Sequence, residues 1–182
     1  MTTIGELAKT GTIQILRAPP KARLGEGGVS ALTLDDVARG QAASGKISQD
    51  ADHVHVVAGD VVVSTVARHP QARVVTEEGP VLGPYLAVVR VDPGRHDPHF
   101  VAGWLRLAAQ SARLRSSTAS ARFDVRRARL PRLPIDEQTG YGTAVRKLAD
   151  LETSLHETRE QTAKVLRQGL EGLGAGTLRP LG

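Results

Sequence analysis

Two hydropathy regimes divide the chain. Up to residue 133 the apolar positions come in short runs broken by Gly and Pro, and from residue 135 they recur every three or four positions. In the first regime "TIGELAK" (3–9) predicts one helical turn capped by Thr3. "TIQILRA" (12–18) alternates and predicts a strand, "PPKARLGEGG" (19–28) a loop, and "VSALT" (29–33) a second strand. "LDDVARG" (34–40) predicts a helical turn ending at Gly40, and "HVHVVAGDVVVSTVA" (53–67) two β-rich runs around Gly59-Asp60. "ARVVT" (72–76) and "YLAVVRV" (85–91), with the turn "EEGP" (77–80), predict two strands of a meander. Residues 98–113 predict a helix, because Phe100, Val101, Trp104, Leu105 and Ala108 make one apolar face. "LRSSTASARFDV" (114–125) is a polar loop. The body is therefore mixed α and β.

The second regime is a helix over 135–170. Pro131 and Pro134 push the residues before them into extended geometry, and Asp136 and Glu137 suit the free N–H groups of a first helical turn. The apolar or small positions Tyr141, Val145, Leu148, Leu151, Leu155, Thr158, Thr162 and Val165 approximate a heptad seam. Glu160 stands four residues ahead of Lys164, which predicts a pair along the helix. A rod of about 35 residues is roughly 50 Å long, more than one small body can cover. The seam calls for a second helix, from another copy or another protein; a helix lying along its own body is the other possibility. The organisation expected is a body over 1–133, a partner-docking helix over 134–172 and a tail over 173–182.

Composition narrows this. There is no cysteine, hence no disulfide and no thiolate metal site. No apolar stretch reaches the roughly 20 residues of a membrane span, and the start lacks a signal pattern. The expectation is a soluble, cytoplasmic, nucleoid-associated protein. The net charge of +5 is uneven: residues 1–133 hold 18 Lys and Arg against 12 Asp and Glu, and residues 134–182 hold 6 against 7. Residues 106–132 hold eight arginines and one acid, Asp124, a footprint suited to a polyanion. Aromatic residues are too few for a single-strand stacking platform.

Catalytic motifs are missing from the sequence. There is no Gly-x-x-x-x-Gly-Lys-Ser/Thr loop, no Gly-x-Ser-x-Gly elbow and no Asn/Asp-Pro-Pro-Tyr run. His96, Asp97 and His99 make a weak match to a metal site, and no metal is assigned. These absences favour a binding module over an enzyme.

"LPRLPIDEQ" followed by a long helix resembles the junction that ends a target recognition domain in the specificity subunits of type I restriction–modification systems. "IGELAKTG" (4–11), "AGDVVVST" (58–65), "VVRVDPGRHDPHFVAGWLR" (88–106) and "SSTASARFDVRRARLPRLP" (116–134) resemble further segments of that family, in its order. The junction departs from the usual Pro-Leu-Pro-Pro, and the polar loop lacks its common Gly. A full specificity subunit carries two such domains and two helices; this chain carries one of each. It thus resembles a half-subunit, or the C-terminal recognition domain of an actinobacterial N6-adenine DNA methyltransferase. The ending "RQGLEGLGAGTLRPLG" favours the second, with Met1 at a cut edge of a longer protein.

The resemblance implies an α+β fold: a mixed, mostly antiparallel sheet body with packed helices, then a long coiled-coil-like helix. It implies sequence-specific recognition of double-stranded DNA, non-catalytic in itself. A methyltransferase catalytic domain or modification subunit would use S-adenosylmethionine, with no cofactor in this chain. A homodimer through the long helix is possible on this reading. Implied DNA contacts are Lys21 and Arg23 in the first loop, and Ser64, Thr65, Arg68 and His69 after the Gly-Asp strand. Arg115, Ser116, Ser117, Thr118 and Arg122 follow in the polar loop. Arg126, with Arg127, Arg129 and Arg132, is expected to serve the DNA backbone or the fold. The competing classes are a protein–protein assembly module, whose basic face is incidental, and a metal-dependent nuclease.

Overall fold

A computed structural model describes residues 1–20, 22–50, 52–115 and 121–178. The chain order is β1 (Thr2–Thr3), α1 (Ile4–Lys9), β2 (Ile13–Arg17), β3 (Leu24–Leu32), α2 (Leu34–Arg39), β4 (Gly45–Ile47) and β5 (Val61–Ser64). It continues with β6 (Ala72–Val74), β7 (Val81–Leu82), β8 (Leu86–Val91), α3 (Pro98–Arg115), β9 (Arg129–Leu130) and α4 (Ile135–Gly174). A 3-10 turn at Val125–Arg127 precedes β9. The main sheet runs β2-β8-β5-β6, all antiparallel. A second sheet runs β4-β3-β7, in which β3 and β7 are parallel, and β1 pairs with β9. The fold is the expected α+β class, mostly antiparallel, with a long C-terminal helix.

The central strands β5 and β8 of the main sheet are buried on both faces over most of their length, which explains why "VVVS" and "LAVVRV" read as continuous apolar runs. Val61, Val63, Ala87 and Val89 face a core with Phe100, Val101 and Leu105 of α3 and Ile4 of α1. Their alternate neighbours Val62, Leu86 and Val88 face a second core with Leu32, Val37, Val56 and Leu82. Each fully buried Val, Leu, Ile or Phe among them contributes about 1.5–3 kcal/mol. Thr3 and Glu6 form a reciprocal capping box on α1, as Thr33 and Asp36 do on α2. Burial raises the proton affinity of Asp36, but hydrogen bonds from Ser44 and Thr33 outweigh it and hold the carboxyl below its usual range.

Several expectations need correction. Residues 72–76 and 85–91 do not form adjacent strands of a meander: β6 and β8 both flank β5, on opposite sides. Between them β7 crosses to the second sheet, a two-residue strand too short to carry a pattern. Of the two runs expected in 53–67, the first makes only an isolated bridge, His55 to Val81. The expected loop over 19–28 ends early, because β3 starts at Leu24 and pairs irregularly with β4, a strand that sequence patterning missed. The last helix extends past 170 to Gly174.

α4 meets the body through small residues. A Cβ on Gly103 of α3 would come within 2.7 Å of Val145, and one on Gly142 of α4 within 2.0 Å of the Asp97 carboxylate. Glycine at both positions lets the two helices approach closely.

Candidate nucleic-acid interface

The junction before α4 is tied down by one side chain. Gln138 is buried; its Nε2 donates to the carbonyls of Leu133 (2.8 Å) and Arg95 (3.4 Å), and its Oε1 accepts from the Asp97 N–H at 3.3 Å. Asp97 Oδ1 in turn accepts the Phe100 N–H at 2.8 Å at the start of α3. Gln138, the last residue of "PIDEQ", thus locks the first turn of α4 to the first turn of α3.

Above this, α4 is held by arginines of the body. Arg106 forms a two-pronged pair with Glu152, at 2.7 and 2.6 Å. Arg73 donates to Glu152 at 3.2 Å and to the Thr153 hydroxyl at 2.6 Å. Arg39 pairs with Glu160, which also accepts from Gln41 at 3.3 Å. Glu160 therefore turns to the body, and the expected pair with Lys164 is not formed among the described residues. Hydrogen bonds from Arg106, aided by the charges of Arg106 and Arg73, hold the Glu152 carboxyl below its ordinary range against the cost of burial. Arg106 belonged to the expected basic footprint; it is a clamp instead. A fourth clamp, Arg90 on buried Asp60 at 2.8 Å, braces the Gly-Asp turn before β5.

The body-facing stripe of α4 is Gln138, Gly142, Val145, Ala149, Glu152, Thr153 and His156. The expected seam is a different stripe, centred about 120° away at 100° per residue. Tyr141, Leu148, Leu151, Leu155 and Val165 are 56–66% exposed, and Leu166, Leu170 and Leu173 continue the line. Two members also touch the body: Val145 packs under Gly103 and belongs to the body contact rather than to the open seam, and the Tyr141 ring lies 6.2 Å from that of buried Phe100.

At one end of the main sheet, three segments lie side by side. The Thr65 N–H and hydroxyl both donate to the Tyr85 carbonyl, at 2.8 and 2.9 Å. The Phe123 N–H donates to the Thr65 carbonyl at 2.9 Å, and Val66 bridges Arg122. On the other side, Leu86 accepts from the Ala18 N–H at 3.5 Å, beside exposed Arg17. The result is a row reading Arg17, Tyr85, Thr65, Arg122, with Arg68 and His69 exposed on the turn after Thr65. Residues 64–69, 84–86 and 121–123 contain no acid. Among the described residues, Arg68 and Arg122 have no carboxylate within 4.0 Å, and Arg17 reaches exposed Asp124 at 3.6 Å.

The expected contacts distribute unevenly over this row. Thr65, Arg68, His69 and Arg122 are brought together, while Arg115 is exposed at the C-terminal end of α3. Arg23 is exposed at the foot of β3, on the loop that leaves β2 beyond Arg17. Ser64 is fully buried, and its hydroxyl closes a turn onto Val66, so it presents nothing to a ligand. Arg126 stands off the row, on the 3-10 turn packed against Gly5 of α1. Lys21, Ser116, Ser117 and Thr118 lie outside the described residues. Sequence reading missed Arg17 and Tyr85, which looked like ordinary strand ends.

Among the described residues no group of three or more His, Asp or Glu side chains could hold a metal ion, and His96, Asp97 and His99 do not converge into one. Asp97 is committed to capping α3, and burial holds both histidines below their ordinary pKa. No described helix is long and apolar enough to cross a membrane.

No protein-family model matches the chain, and no curated protein matches it in sequence. Solved structures do match its fold. One, described by the assembly and conformational transition of the type I R-M system, superposes with a TM-score of 0.60 at 18% identity, over 92% of this chain and 42% of its own. The HsdS subunit from Thermoanaerobacter tengcongensis gives 0.57 at 18% identity, with the same coverage. The type I restriction-modification S subunit from M. genitalium gives 0.57 at 16% identity, over 92% of this chain and 43% of its own. The chain has the fold of these subunits and spans about two-fifths of their length.

Proposed function

We propose that the chain is a target recognition module of a restriction–modification or related DNA methyltransferase system. It reads duplex DNA with the end of its main sheet and performs no chemistry itself. The observation that carries this reading is the row at that end, where exposed Arg68 and Arg122 have no acid partner among the described residues, on a fold shared with type I specificity subunits. Arg68 and the neighbouring arginines neutralise phosphates, while Arg122 and Thr65 reach base edges in the major groove. Methyl transfer belongs to a partner domain or subunit that uses S-adenosylmethionine. The test is selection from a randomised duplex library. One enriched sequence is the expected result, and no enrichment at low salt would contradict the reading.

The leucine stripe of α4 supports docking of a second, similar helix, supplied by another copy or by the missing half of a longer subunit. A contiguous apolar stripe this long is rare on a monomer. Glu152 and Glu160 are occupied by the body, so the contact is apolar in character. Leu148→Asp with Leu155→Asp should abolish self-association in sedimentation while leaving the body's melting unchanged. A wild-type chain that stays monomeric at high concentration and docks on no methyltransferase partner would remove this part of the proposal.

A further inference from the structure

Tyr85 sits at the centre of the sheet-end row, and the fold makes no use of its ring. Its φ is +65°, and it is the one non-glycine residue with positive φ among those described. That conformation suits Gly or Asn and strains a bulky aromatic. It is nevertheless fixed from both sides. Thr65 donates two hydrogen bonds to the Tyr85 carbonyl, and Gly83 is pressed against the Leu32 carbonyl, where a Cβ would come within 2.0 Å. Pro84 between them has a fixed φ. The ring gains nothing in return: it is 53% exposed and has no aromatic partner among the described residues, and its hydroxyl has no hydrogen bond there.

We infer that Tyr85 is a specificity-determining DNA contact, an uncharged reader placed between the phosphate-seeking arginines. This rests on the duplex-DNA reading of the sheet end. The left-handed backbone holds the ring outward, where its face meets a sugar or a thymine methyl and its hydroxyl meets a base edge. Arg17 lies on one side of it in the row, and Thr65 and Arg122 on the other. An uncharged contact discriminates between sequences without releasing counterions, which separates its signature from that of the arginines.

The test compares wild type, Tyr85→Gly and Tyr85→Asn in the full chain. Both substitutes tolerate positive φ, so the fold is kept. Melting temperature should rise by about 2–4 °C for Tyr85→Gly. Selection from a randomised duplex library should show discrimination reduced about 10-fold or more at one or two adjacent base pairs. Affinity for unrelated duplex and its salt slope should stay as in wild type. Unchanged discrimination at every position in both variants overturns the inference, as does a fall in melting temperature, which would make the ring a fold element. If wild type binds no duplex at low salt, the DNA reading itself fails and this inference goes with it; variants that still bind duplex but lose discrimination at those base pairs support the inference.

Discussion

The arginines of this protein fall into two groups that differ in surroundings rather than in number. Along α4 and the Gly-Asp turn, Arg39, Arg73, Arg90 and Arg106 each meet a carboxylate, on Glu160, Glu152, Asp60 and Glu152 respectively. At the sheet end, Arg68 and Arg122 meet none among the described residues. The first group is neutralised where it stands and has little charge left for a polyanion. The second projects its charge into solvent from loops pinned by backbone hydrogen bonds, the arrangement that favours counterion release on DNA. A basic sequence therefore contains two different devices, one that holds a helix and one that holds a ligand.

The sharpest way to break this division is to reverse the clamp. Glu152→Lys places a third cation between Arg73 and Arg106. It should destabilise the fold by about 3 kcal/mol, near the lower range for breaking a buried pair because Glu152 keeps partial exposure. Urea unfolding measures this, and a loss under 1 kcal/mol would mean the clamp is ornamental.

On the other side of the comparison, Arg122→Ala should leave stability within about 0.5 kcal/mol. It should cost about 1–3 kcal/mol of discrimination at one base pair if it makes a bidentate guanine contact. A randomised duplex library reads this out. An unchanged preference with a salt slope reduced by about one would make it a phosphate contact instead. Arg129, on the short strand leading into α4, should behave differently: Arg129→Ala weakens all sequences alike by about 1 kcal/mol or less, with no change of preference.

The smallest effect expected is on pH. Glu152 has its folded-state pKa depressed, chiefly by hydrogen bonds from Arg106. Its stabilising contribution is therefore complete above the unfolded carboxylate pKa and is lost as pH falls below about 4. Glu152→Gln should be less stable than wild type at pH 7, and the gap should close towards pH 3. A gap independent of pH would assign the loss to packing.

What could be read from the sequence was what is local. The Thr3 cap, the Gly40 stop and the proline-bounded start of α4 each depend on a few adjacent residues, and the structure has them all. The leucine stripe was legible because helical periodicity is written in consecutive residues, but which faces were already occupied was not. Gln138 reaches residues 95 and 97, about 40 positions away, and Glu160 reaches Arg39, 121 positions away. Such pairings leave no mark on local patterning, so Arg106 read as part of a polyanion footprint and Val145 as part of the open seam. Ser64 was misread for the same reason: it is held inside the sheet, in register with Leu86 of β8 and donating its N–H to the Gln71 carbonyl. The two-residue strands β7 and β9 were too short to show any period.

The two-group account is tested most directly by duplex binding measured between 50 and 200 mM salt for three chains: wild type, a sheet-end variant with Arg17, Arg68 and Arg122 all changed to Gln, and Arg39→Gln from the clamp. With about six phosphates engaged, wild-type affinity should fall about 10³-fold over that range. The sheet-end variant should bind more weakly at every salt concentration with a shallower slope, and Arg39→Gln should follow wild type. A sheet-end variant that matches wild type, or a clamp variant that loses as much as the sheet-end one, would contradict the account.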